Sequence, residues 1–97
     1  MNDNDFDDPD PYKAAKNFAK HGVSFEQAKD VFRDPFAIEF EDTRENYGEV
    51  RDIIIGMAEE RLLTVVYTVR DERIRIISAR LATPYDRRLY HEENTEA

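Results

Sequence analysis

Six arginines fall between residues 70 and 88, at positions 70, 73, 75, 80, 87 and 88, against the acids Asp71, Glu72 and Asp86. A local charge of about +3 can hold a phosphate. Arg51 opens an earlier apolar run, where its side chain can reach the same surface. The competing structural reading is that arginines flanking strands are solvated edge residues. His21 is the histidine inside the folding region, and a group titrating near neutrality is a candidate general acid or base. At the end of a helix it would equally serve the dipole and cap carbonyls. Lys20 has the same two readings, phosphate clamp or dipole partner. Tyr47 and Tyr90 can stack on a base or donate a proton, although tyrosines at such positions also serve as packing.

Other chemistries lack their residues. There is no cysteine, hence no thiolate nucleophile, disulfide framework or Cys-based metal site, which fits a reducing compartment. Glycine-rich phosphate loops, nucleophile elbows and histidine clusters with metal spacing are missing. Glu39, Glu41, Asp42 and Glu45 suggest either a divalent cation site or a solvated loop, and the loop is favoured. No metal and no cofactor are expected. No apolar run approaches the roughly 18 residues of a membrane span, and the first residues do not have the basic-then-apolar pattern of a signal peptide. A cytoplasmic protein is expected.

The net charge of −8 would ordinarily argue against nucleic acid, because Lys and Arg supply much of the affinity for phosphates. Position matters more than the total. Asp3, Asp5, Asp7, Asp8 and Asp10 lie in the first ten residues, Glu92, Glu93 and Glu96 in the last six, and all 14 Lys and Arg between 11 and 91. The body between those ends is formally neutral, so the arginine stretch stands out within it.

The elements that must position these residues can be read from punctuation and period. Residues 1–9 read as a flexible acidic tail, 10–92 as one domain and 93–97 as a second tail; 97 residues bury one core. Asp10 followed by Pro11 is a helix start, Tyr12, Ala15, Phe18 and Ala19 recur at helical spacing, and Gly22 closes the helix. Ser24 with Gln27 forms a capping box for a second helix, with Val23 stapled onto Ala28. Phe25, Ala28, Val31 and Phe32 are its buried stripe, and Asp34-Pro35 ends it. From Phe36 onward the period becomes strand-like: weakly over 37–40, strongly over 53–57, 62–69 and 74–79. Short turns at 58–61 and at Asp71-Glu72 make antiparallel hairpins. Thr83, Pro84 and Asp86 start a last helix. The fold class is α+β: two N-terminal helices, an antiparallel sheet of three to four strands, and a C-terminal helix.

Strand alternation tests the arginines geometrically. Ile74 and Ile76 share one face, Arg73 and Arg75 the other, and strict alternation puts Arg80 opposite Arg75. The Ile76-Ile77 doublet breaks that pattern as a β-bulge or two-sided burial would. With a bulge, Arg75 and Arg80 converge.

The combination of Lys13-Ala14-Ala15-Lys16-Asn17, Lys20-His21-Gly22-Val23-Ser24-Phe25-Glu26 and Phe32-Arg33-Asp34-Pro35 resembles the BrnT family of toxins. The likeness continues through Tyr47-Gly48-Glu49 with Arg51, Ile55-Gly56, Val66-Tyr67-Thr68, and Arg73 to Arg80 with Ala82, covering about residues 10–90. It implies a bacterial type II toxin-antitoxin system whose toxin is a ribonuclease of RelE-like fold. The implied partner is a BrnA-like ribbon-helix-helix antitoxin that dimerises, binds promoter DNA itself, and carries the toxin into a larger complex. Family members usually begin with a Phe-Glu-Trp-Asp-Pro-like first strand. Here Asp7-Asp8-Pro9-Asp10 stands there, and residues so poor in strand propensity predict a short or missing edge.

Metal-free cleavage of RNA by its own 2′-hydroxyl needs a base, cationic stabilisation and a leaving-group acid. Arg51, Arg75 and Arg80 are assigned to the phosphate, Lys20 and His21 to proton transfer or positioning. Arg70 is expected to bind RNA, and Arg87, Arg88 and Tyr90, on the last helix, to complete the RNA groove or to lie under the antitoxin. The rival from another class is a non-catalytic degenerate toxin that binds its antitoxin and acts as co-repressor, and the acidic N-terminus motivates it.

Overall fold

A computed structural model describes residues 2–95. Helix α1 (Pro11–His21) starts where Asp10 accepts the Tyr12 N–H through its side chain, and ends at Gly22, whose φ of 69° lets its N–H reach the Phe18 carbonyl. Helix α2 (Phe25–Lys29) carries the reciprocal Ser24–Gln27 capping box and runs into a 3-10 turn over Asp30–Arg33. Four strands follow, β1 (Ile38–Glu41), β2 (Asp52–Ala58), β3 (Arg61–Arg70) and β4 (Arg73–Leu81), then α3 (Pro84–Asn94) from a Thr83–Asp86 capping box. This is the expected α+β arrangement, with four strands in the antiparallel order β1-β2-β3-β4. The Asp71-Glu72 turn takes positive φ at both residues, the geometry that matches strand twist in a two-residue hairpin. Among the described residues no helix is long and apolar enough to cross a membrane.

Both faces of the sheet are used. Ile54, Leu63, Val65, Tyr67 and Ala79 turn to one face, where Val23, Phe25, Ala28 and Val31 bury themselves against them. Ile53, Ile55 and Leu62 turn to the other face, under Leu89 and Tyr90 of α3. Burial on both sides accounts for the nearly unbroken apolar run of β3.

Helix α1 does not use its apolar stripe. Tyr12, Ala15, Phe18 and Ala19 are all exposed, and α1 docks through half-buried Ala14 and buried Asn17. The reason lies in β4, an edge strand with unpaired backbone groups. Asn17 Nδ2 donates to the Ala79 carbonyl at 2.8 Å and to the Val23 carbonyl at 3.0 Å, while its Oδ1 accepts the Ala79 N–H at 3.2 Å. One amide thus replaces a neighbouring strand.

Asp34 does the corresponding work beside β2. Its carboxylate accepts from the backbone N–H of Met57 at 2.8 Å, the hydroxyl of Tyr90 at 2.7 Å and the N–H of Phe36 at 2.9 Å. Burial pushes this carboxyl up, but the donors from Met57, Tyr90 and Phe36 outweigh it and the net shift is downward. Burial together with the Asp34 carboxylate pushes the Tyr90 phenol up to about 12.

Residues 1–9 read from sequence as a flexible tail, yet Phe6 is only 2% exposed and packs edge-on against Phe32. A single parallel bridge joins Phe6 to Ile74: the Asp7 N–H donates to the Ile74 carbonyl at 2.8 Å, and Arg73 donates to the Phe6 carbonyl at 2.6 Å. The expected shortness of this edge agrees with a bridge of one residue, and one large apolar side chain is enough to anchor it. At the other end α3 continues through Glu93 and Asn94 into the expected second tail, while residues 96 and 97 lie outside the described residues.

Gly56 sits where the 3-10 turn meets β2, and a Cβ there would stand 3.0 Å from the Ala37 Cβ and from Val31 Cγ1. Ala37 Cβ is fixed to backbone and cannot rotate away. We expect Gly56→Ala to destabilise the fold by roughly 1–3 kcal/mol, the usual cost of overpacking, read as a lower denaturant midpoint in urea.

Candidate functional site

The strand register decides where the arginines point. Val66 pairs with Ser78 and Tyr67 with Ile76, so Ile77 is an extra residue on β4, the bulge anticipated from the doublet. After it, Thr68 pairs with Arg75 and Arg70 with Arg73, and before it Thr64 pairs with Arg80. Residues directly opposite share a face, so Arg73, Arg75, Ser78 and Arg80 all lie on the α3 side. Ile74, Ile76 and Ala79 face the core on the other side. Without the extra residue, Arg75 would share the core face with Ala79.

Arg75 and Arg80 share a face but not a situation. Arg80 donates to Asp86 Oδ2 at 2.8 Å, and the same oxygen accepts from Thr64 Oγ1 at 2.8 Å and from the Thr83 N–H at 3.1 Å. Burial raises the Asp86 carboxyl, but Arg80, Thr83 and Thr64 more than reverse it and hold it below its ordinary value. Arg80 is therefore bound to the start of α3. The side chain of Arg75, half-buried, has no ion pair or hydrogen-bond partner among the described residues.

Arg51 is held on two sides. Its Nε donates to Glu49 Oε2 at 3.0 Å, and its guanidinium lies over the Tyr47 ring at 4.2 Å. Arg70 approaches the other oxygen of Glu49 at 3.6 Å. One cavity of about 220 Å3 has Arg51, Arg70 and Arg75 in its wall, with Lys13, Lys29 and Glu49 and the strap residues Asp7, Asp8 and Asp10. Five cations thus face four carboxylates, so the cavity is nearly neutral and the strap supplies most of its negative charge.

Not every predicted residue comes to this cavity. Lys20 and His21 border an adjoining shallow groove with Lys16 and Ser78, and Lys13 and Ile77 border both. Arg87 and Arg88 are exposed on α3, where Arg88 lies over the Tyr85 ring. Tyr90 is 8% exposed, with its hydroxyl on Asp34, and belongs to the core beneath α3. Residue types alone did not single out Glu49 or Thr68. Thr68 is Arg75's register partner and donates to the Val50 carbonyl at 2.7 Å. Its alternation with Arg70 was the available signal.

The loop that carries Tyr47, Glu49 and Arg51 is tied down by Asp42. Instead of belonging to a solvated acidic loop, Asp42 is 4% exposed. It accepts from Arg44 Nε at 2.8 Å, Arg44 NH2 at 2.7 Å and the Tyr47 hydroxyl at 3.1 Å, and its N–H donates to the Arg51 carbonyl at 2.8 Å. Among the described residues no three His, Asp or Glu side chains converge as a metal-holding group. The Arg44 side chain, ahead of the burial that opposes it, lowers the Asp42 carboxyl to about 2.

An unfolded aspartate titrates near about 3.9, so the Asp42 contribution is complete above about pH 4 and is lost as the pH falls toward 2. Urea unfolding across that range checks this: the parent chain should lose stability steadily, and Asp42→Asn should be weaker at neutral pH with a flatter acid limb.

A search of curated proteins finds no match to this chain. A family model does match, over residues 10–86, from the first turn of α1 to the start of α3, and so includes the bulged strand and the loop bearing Arg51. The chain belongs to the family of the ribonuclease toxin, BrnT, of type II toxin-antitoxin systems.

Proposed function

We propose that this chain cleaves RNA without a metal in the arginine-walled cavity, arresting translation until a BrnA-like ribbon-helix-helix antitoxin binds it. The observation that carries the reading is Arg75, whose guanidinium has no partner among the described residues and is turned by the Ile77 bulge out of the core and beside Arg51 and Arg70. A planar cation without a partner in a half-buried cavity is suited to a bidentate phosphate contact.

The scissile phosphate sits between Arg75 and Arg51, with Arg70 at its rim. On arrival it draws Arg51 and Arg70 from Glu49, and the released carboxylate takes the proton of the attacking 2′-hydroxyl. The 2′-oxygen bonds to phosphorus, the P–O5′ bond breaks, and the 5′-oxygen leaves with a proton, giving a 2′,3′-cyclic phosphate. The arginines stabilise the charge that develops on the phosphoryl oxygens. From the adjoining groove, one of Lys20 and His21 gives the leaving 5′-oxygen its proton and the other positions flanking RNA. Arg87 and Arg88 extend the basic surface along α3. The sheet with its open arginine-bearing face supports a RelE-like arrangement. Promoter DNA is reached only through the antitoxin, in a higher-order complex in the bacterial cytoplasm.

A second reading, a degenerate toxin retained as an antitoxin-binding co-repressor, is favoured by one observation: Asp7, Asp8 and Asp10 stand in the cavity wall where phosphates would go. Induced expression in a bacterium without the antitoxin separates the two. Arrest of growth and protein synthesis supports cleavage, and normal growth with intact antitoxin binding supports the binder.

Arg75→Ala should lower RNA cleavage by roughly 100-fold to 1000-fold, the usual effect of losing one preorganised donor, with an unchanged thermal midpoint. Arg80→Ala should lower both activity and thermal midpoint, because it strips Asp86 of its cation; full growth arrest by a folded Arg80→Ala chain would remove Arg80 from the site. Replacing Asp7, Asp8 and Asp10 by asparagine should tighten RNA binding on the order of tenfold at low salt, from the loss of three carboxylates at the cavity, each worth about half a kcal/mol. The gain should shrink as salt screens it, and RNA titrations at two ionic strengths measure it.

A further inference from the structure

The exposed stripe of α1 is left over from everything above. Tyr12 is 70% exposed and Phe18 57%, and Ala15 and Ala19 are exposed between them. On a helix these four positions form one continuous arc. It lies opposite the Ala14 and Asn17 side, with which α1 grips β4. A helix whose apolar arc faces water while a polar residue faces the core has the reverse of ordinary amphipathic packing, and such a patch marks an interaction surface.

The charge beside it says what kind of partner fits. Helix α1 contains no acid, and Lys13, Lys16 and Lys20 run along the flank of the arc in a protein whose net charge is −8. A type II toxin has an antitoxin partner. We propose that the antitoxin docks on α1, laying an apolar strip over Tyr12, Ala15, Phe18 and Ala19 and setting acidic side chains against the lysines. The two rings are the anchors, because large aromatic side chains dominate interface energetics and lose little rotamer freedom. RNA is the weaker fit: the lysines would attract it, but the Ala15–Phe18–Ala19 part of the arc offers no polar group for a nucleotide. This docking rests on family membership and on α1, not on the catalytic reading of the arginine cavity.

The test uses the full chain, in its parent form and carrying Tyr12→Glu with Phe18→Glu, titrated by calorimetry with a ribbon-helix-helix antitoxin that binds the parent chain. Both rings are exposed, so the variant should melt with the parent, and a circular dichroism melt verifies it. Expected is a loss of antitoxin affinity of roughly 30-fold or more, the level of buried aromatic anchors, with RNA cleavage by the free chain unchanged. Phe18→Leu should retain most of the affinity. Antitoxin affinity within about threefold of the parent would overturn the proposal. Impaired RNA binding by the free variant with antitoxin affinity kept would overturn it in favour of an RNA track. A parent chain that is dimeric alone, and monomeric after the substitution, would overturn it in favour of self-association.

Discussion

The arginine-bearing face of β4 depends on one extra residue in that strand. The two-residue period of a strand would place Arg75 on the same face as Ala79, among Phe25, Val65 and Tyr67. A guanidinium there would be a buried charge without a partner, at a cost of several kcal/mol. The bulge at Ile77 shifts the parity, so that Ile76 and Ala79 enter the core while Arg75 and Arg80 leave it. A bulge that re-aims side chains is a recurrent device beside functional sites, and here it keeps the core apolar while producing the cationic face.

The sheet that carries the bulge is narrow, and side chains take the place of missing strand on either side of it. Asn17 stands in for a strand beside Ala79, and Asp34 stands in for the missing length of β1 beside Met57. Each satisfies backbone groups that would otherwise be orphaned. Each also fixes a helix, α1 through Asn17 and α3 through the Tyr90 hydroxyl on Asp34. This is why α1 presents lysines and aromatic rings outward: its inward position is taken by the residue that closes the edge. Asp42 plays a comparable part for the loop, since Arg51 rests on Tyr47 and Tyr47 on Asp42.

The acidic N-terminus acquires a physical role from the same geometry. Phe6 enters the core under Phe32, which draws Asp7, Asp8 and Asp10 past the arginine cavity, and Asp7 approaches Arg73 at 3.5 Å. Composition distinguishes an acidic end from a neutral body, but a single aromatic residue decides where that end lies. The carboxylates balance cations that would otherwise repel one another across a small cavity.

The order of elements was legible because short-range rules govern it. Asp10-Pro11, Gly22, Ser24 with Gln27, Asp34-Pro35 and Thr83 with Asp86 are local hydrogen-bonding and dihedral constraints, and helix ends fall at them. The bulge was legible too, because the Ile76-Ile77 doublet violates a period of two. Burial was less legible. Asn17 and Asp42 are polar residues whose partners at Ala79, Val23 and Arg44 are supplied by the folded chain, and Phe18 is an apolar residue left outside. The arginine pattern by itself determined that Arg75 and Arg80 can share a face. Only the tertiary structure decided that Arg80 is claimed by Asp86 and Arg75 by no carboxylate among the described residues, because a guanidinium pairs with whichever carboxylate the packing of α3 brings within reach.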